Sequence, residues 1–458
     1  MIIDSLITVA AFLTLAISFS RALPHNNPPQ DDPHQRFIPF DEFLEGVKVA
    51  TFAQWNHTAV ESGDAFNVMK NHILTMYDGI GTINQSFVLD VEYGDCVDVL
   101  KQPTLRILGL DHIESEPLNS SFPSLSEGRG EKFEFVESPL KLDLKDRFGN
   151  CISCPERTIP FARLTLEKLT AFKTLDDFFA KSEDGSGFAS VSQDVPSRRS
   201  LVRRDDEAHL HAVGYQWVTN YGGNSWLELW SPVGGFTLSQ QWYMGGSGNN
   251  TQSVEGGWIV YPQKFNTNKA VLFIFYTADN YQKKKCWNHD CAAFVQTNNH
   301  WFLGGTWDRY SVTNGIQWGF EMQWKLYNGN WWLFLKGPGA YEAVGYYPTK
   351  IYESGQLSKN AEFIEYGGEV TRFDPKHNWP QMGSGAFPST GYGHAAFHNT
   401  IFYIPRNEND GVGVWANLSK IVEGRTSCWD IDITQADKGG SWGTYIYFGG
   451  PGGTNCLG

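Results

Sequence analysis

Two glutamates stand out because their surroundings suit a charge poorly. Glu255 sits in SVEGGWIVYP and Glu369 in IEYGGEVTRF. Both segments are aromatic, glycine-rich and strand-like. A carboxyl group shielded from water among rings keeps its proton to higher pH than a solvated one. Two carboxyls that face each other repel, so one serves as acid and the other as base. The adjoining glycines remove bulk and let a substrate backbone approach. Glu365 shares a strand face with Glu369 and is a rival second partner. The bland alternative is that all three are ordinary edge-strand residues. Asp430 and Asp432 also alternate on one face, which a polar sheet edge explains.

Other chemistries find less support. GGSGN (245–249) and MGSGA (382–386) each lack a glycine of the nucleophile elbow G-x-S-x-G. There is no HExxH, no Walker loop and no dinucleotide fingerprint after a strand. His209 and His211 would lie on one strand face, a weak metal signal. The net charge of −14 argues against nucleic acid as the main partner, since phosphate binding needs a basic face.

The elements that must position the glutamates are strands. Aromatic residues make up 15% of the 458, and 47 are glycine, a composition of strands and tight turns. Sixteen of the 17 tryptophans follow residue 205; Trp55 alone precedes it. The rear half reads as short runs such as GFTLSQQWYM, GWIVYP, AVLFIFYT, IQWGFEMQWKLY and WGTYIYF, punctuated by Gly, Asn and Asp. That spacing predicts an antiparallel sandwich or barrel. The front half mixes signals. Residues 64–77 predict a helix, FVLDVEY (87–93) a strand, and 165–182 a helix with Leu166, Leu169, Phe172, Leu175 and Phe179 on one face. Between the halves, residues 182–206 are polar and carry the basic pairs ending at Arg199 and Arg204, the kind of site that secretory processing proteases cut.

The chain starts with a secretory address. LITVAAFLTLAISF (6–19) has the length of a signal-peptide core, and Ser20 and Ala22 place a cut after Ala22. The run falls short of the ~20 residues of a membrane span. Secretion permits disulfides. Cys286–Cys291 and Cys428–Cys456 can form two, and Cys96 can pair with Cys151 or Cys154, leaving one thiol. Asn56, Asn84, Asn119, Asn249 and Asn417 begin glycosylation sequons.

Ordered motifs add a resemblance. DCVDVLKQPTLR (95–106) and CPERTIPFAR (154–163) in the front half are similar to the propeptide signatures of the neprosin family of secreted glutamic peptidases. The similarity continues through HAVGY (211–215), LSQQW (238–242), VEGGWIVYP (254–262), YTADNYQ (276–282), NWWLF (330–334), VGYYP (344–348), YGGEV (366–370), QMGSG (381–385) and WGTYIYFGGPG (442–452). The resemblance implies a signal peptide (1–22), a small α+β propeptide domain (23–181), a processing linker (182–204) and a mainly β, antiparallel sandwich catalytic domain (205–458). It implies a secreted zymogen that cleaves after proline at acidic pH, using Glu255 and Glu369 and needing no metal or cofactor. Its partners would be proline-containing peptides or proteins and its own propeptide, with no nucleic acid and no membrane. Trp258, Tyr261 and Tyr366 would offer rings to a prolyl residue, and Gln240 a donor to an oxyanion. TADNYQ departs from the plant-like form, which weakens the carry-over of proline specificity. Paired carboxylates beside aromatics also suit a secreted carbohydrate-active or carbohydrate-binding sandwich protein, and a catalytically dead binding module is a third reading.

Overall fold

Two antiparallel sheets stack face to face in the rear half. In the computed structural model the described residues are 36–124, 131–140, 144–181, 209–372 and 377–457. The expected signal (1–22) and linker (182–204, with Arg199 and Arg204) lie outside them. The sheet that carries the glutamates has seven strands. Its order across the sheet is Lys285–Trp287, Val271–Thr277, Gln252–Val260, Phe236–Gly245, Ala361–Thr371, His209–Asn220 and Ser419–Val422. Every pairing in it is antiparallel. The second sheet has ten strands, with Asp430–Thr434 at one edge, where Asp430 meets Lys420 at 2.8 Å. Its one parallel pairing comes from the front half: Glu134–Phe135 runs alongside Trp318–Tyr327.

Strand alternation decides what each residue faces. Val254, Trp258 and Val260 turn into the core between the sheets, as do Ile364, Tyr366 and Val370. Trp258 Nε1 donates to the carbonyl of Glu228 in the opposite sheet, and Tyr366 Oη to that of Phe402. The residues of opposite parity form a second apolar surface on the outer face. Phe236, Leu238, Trp242, Ile259, Phe273 and Phe275 lie there in a cluster with Phe66, Met69, Ile73, Phe161, Leu166, Leu169 and Phe178 of the front half. VLFIFYT is therefore a continuous apolar run because both of its faces are covered.

The front half packs helices and a three-stranded antiparallel sheet onto that outer face. Residues Phe37–Gly458 form one compact unit. The helix Gly63–Tyr77 starts where Ser62 accepts from the Ala65 N–H. Two local expectations change. The 87–93 segment is a hairpin: Asp90, at φ 58°, turns the chain, and Leu89 pairs with Glu92. The 165–182 helix is two short ones, Leu166–Thr170 and Leu175–Phe179. Thr174 takes an extended conformation and caps the second through the Asp177 N–H, which outweighs the continuous apolar stripe.

The disulfides are Cys96–Cys154, Cys286–Cys291 and Cys428–Cys456; Cys151 is free and exposed. Cys151 as a partner of Cys96 is thereby set aside. Asn56, Asn84, Asn249 and Asn417 are exposed, while Asn119 is half-buried. No helix among the described residues is long and apolar enough to cross a membrane.

Candidate active site

Glu255, Gln240 and Glu369 lie on three adjacent strands of the seven-stranded sheet. Glu255 pairs in register with Trp242, Gln240 with Gly257 and Gly367, and Glu369 with Leu238. Each polar residue is thus one row further along than the last, a diagonal across the outer face. The two glycines flanking Gln240 keep its row clear. Gly367 has φ +144°, and a Cβ there would lie 2.4 Å from the Ala212 carbonyl oxygen, so only glycine fits.

Lys181, the last described residue of the front half, brings the pair together. Its Nζ is 2.5 Å from Glu255 Oε2, 3.4 Å from Glu369 Oε2 and 3.5 Å from Gln240 Oε1. Both carboxylates are fully buried and Lys181 is nearly so. The ammonium also sits over the rings of Trp242, Phe275 and Trp287, at 5.7, 5.2 and 6.0 Å. The preceding chain is tied down: Trp287 Nε1 donates to the Ala180 carbonyl, Lys264 Nζ to that of Phe178, and Lys285 pairs with Asp176.

The glutamates differ in their remaining partners. Glu255 accepts from Tyr281 Oη at 2.6 Å, Ser253 Oγ at 2.6 Å and Gln240 Nε2 at 2.9 Å, all neutral groups. Tyr281 stays a phenol, because burial and then the nearby Glu255 push its ionisation far up. Tyr281 stacks on Phe275, and its own N–H is anchored on Thr277 Oγ1. Glu369 bonds His209 Nδ1 through Oε1, and His211 Nε2 stands 3.8 Å from its Oε2. Burial alone would push the Glu369 carboxyl up. Lys181 and the two imidazoles outweigh it and hold that carboxyl well below the usual range.

The structure thus joins Glu255, Glu369 and Gln240. Glu365 lies on the same face, in the row of Trp242 and Glu255. Tyr261 also stays on this side, packed against Phe172, Phe236 and Trp287. Trp258 and Tyr366 are corrected: parity sends them into the inter-sheet core, away from the glutamates. The rings beside the pair are instead Trp242, Phe275 and Trp287. Sequence reasoning missed Lys181, Tyr281, Ser253 and Glu423. Tyr281 lay in the noted TADNYQ segment, and the histidines were read as sharing a face, though as a metal signal. No cluster of three or more His, Cys, Asp or Glu among the described residues has metal-holding geometry.

The architecture defines a two-sheet β protein with buried glutamates, Glu255 and Glu369 among them, on an outer sheet face. The family model for neprosin matches residues 234–451 of this chain. Among solved structures, a scytalido-glutamic peptidase with a peptide-based transition-state analogue is similar at 10% identity and a TM-score of 0.29, over 52% of this chain and 96% of that one. SCP-B, a member of the eqolisin family of peptidases in complex with the tripeptide Ala-Ile-His, is similar at 9% identity and a TM-score of 0.27, with the same coverages.

Proposed function

We propose that this chain is a secreted glutamic endopeptidase, made as a zymogen, that hydrolyses peptide bonds after proline at acidic pH. The observation that carries the reading is the convergence of Glu255 and Glu369 on one ammonium. The neprosin match supports peptidase chemistry. In the reaction, a water takes the place of the Lys181 ammonium between the carboxyl groups. One glutamate, ionised, removes its proton as the oxygen attacks the scissile carbonyl. The other, protonated, donates to the carbonyl oxygen and later passes a proton to the leaving nitrogen. Gln240 Nε2, which donates to Glu255 at 2.9 Å, adds a donor for the oxyanion.

The same ammonium supports the zymogen reading. Residues 23–181 act as a propeptide domain whose Lys181 fills the site, and 205–458 as the catalytic domain. A cut in 182–204, after Arg199 or Arg204, frees the segment that holds Lys181. The test is cleavage of a mixed peptide library at pH ~3–5, where a carboxyl pair can share a proton. Wild-type chain, Glu255→Gln and Glu369→Gln are compared by mass spectrometry. Cuts after proline in the wild type alone are expected. Cuts that persist in either variant would remove that glutamate from the mechanism.

A further inference from the structure

Two imidazoles and a third carboxylate make the glutamate pair unequal. His209 and His211 sit two apart on the strand next to that of Glu369, so both rings share its face. His211 is the register partner of Glu369, and His209 that of Thr371. On the other side of His211 lies Glu423, whose N–H donates to the His211 carbonyl at 2.8 Å. Its Oε2 meets His211 Nδ1 at 2.5 Å. Glu423, His211 and Glu369 thus form one row of carboxylate, imidazole and carboxylate. The Nδ1 contact directs His211 Nε2 toward Glu369. His209 Nδ1 takes the remaining Glu369 oxygen.

We infer that His209 and the His211–Glu423 pair are positioning residues that keep Glu369 the ionised, water-activating member, leaving Glu255 as the acid. This rests on the two-glutamate reading above. Among the described residues, the groups facing Glu369 are Lys181 from the front half, His209 and His211 from the neighbouring strand, Glu365 on its own strand face, and Tyr281, whose phenol stays neutral. Glu423 acts one step away through His211. Lys181 is the cation that the two glutamates share. When it departs, Glu255 keeps Tyr281, Ser253 and Gln240, which carry no charge. Glu369 keeps two imidazoles that belong to the catalytic half. The histidines therefore decide which carboxylate holds the charge after activation, and Glu423 does so by orienting His211 and favouring its cationic form.

The test uses the full chain, activated in acid, and the pH dependence of kcat. Glu423→Gln keeps the shape and removes the charge. His209→Asn keeps a donor at the Nδ1 position and removes the cation. Each is expected to move the acid-side limb, where the base takes up its proton, to higher pH by about one unit. The alkaline limb should stay in place. A purely structural role would lower kcat at all pH values without moving either limb. Superimposed normalised profiles, or movement of the alkaline limb alone, would overturn the assignment. Glu423 is partly exposed, so its variant reads out the effect even where His211→Gln fails to fold. Should the two-glutamate reading itself fail, the wild type would not cleave, or Glu369→Gln would cleave normally.

Discussion

His289→Phe should remove one discrete part of the acid sensitivity of the full-length chain. His289 is 3% exposed, and its ring stacks on Phe161 of the front half at 4.7 Å. Neither ring nitrogen has a hydrogen-bond partner among the described residues. Burial pushes the imidazole down from 6.5 to about 3. A base whose folded value is depressed leaves stability intact above its unfolded value. It costs stability as pH falls from 6.5 toward 3, because the released or unfolded chain binds the proton first. Between pH 7 and pH 4 the linkage comes to about 3 kcal/mol, roughly a two-hundredfold shift. Phenylalanine preserves the stack and cannot titrate. The assay is urea unfolding at both pH values, with Glu369→Gln in both chains to stop self-cleavage. The variant should lose about 3 kcal/mol less than its parent on acidification. Equal losses in the two chains would refute the argument.

Lys181→Met should destabilise the full chain at pH 7 by about 3–5 kcal/mol, since two buried carboxylates lose their shared cation. Glu369 is held low in the native chain, so its contribution is present above the ordinary carboxylate range and lost as pH falls below it. The gap between parent and variant in thermal melts should therefore narrow toward pH ~3. Gly367→Ala forces a strained backbone and a clash with Ala212, and should cost about 2–4 kcal/mol in urea titrations. Cys154→Ser should cost about 2–4 kcal/mol while Cys151→Ser is neutral; the reverse order would contradict the Cys96–Cys154 bridge.

Much of the site was legible locally, and what was not follows from distance or parity. The glutamates were visible because a charge in an aromatic strand is costly, and Gly367 was visible beside Glu369. Trp258 and Tyr366 were assigned to the wrong face although the period-two rule places each three residues from its glutamate, hence opposite. Lys181 left no local trace. It lies two residues past the short helix Leu175–Phe179, and its contact with Glu255 spans the two halves. The outer face of the sheet could be read from VLFIFYT, but not what covers it. Thr174 split a helix that its apolar stripe favoured, because a cap competes locally with continuation.

Each disulfide lies within one half: Cys96–Cys154 in front, Cys286–Cys291 and Cys428–Cys456 behind. A chain cut between residues 182 and 204 is therefore two molecules, whose association obeys mass action. While the chain is whole, Lys181 meets the glutamates within one molecule, at an effective concentration that does not depend on dilution. After the cut, it is set by the volume into which the protein is released. If the chain is the zymogen proposed above, dilution alone would then favour the open site, with no covalent change in the rear half.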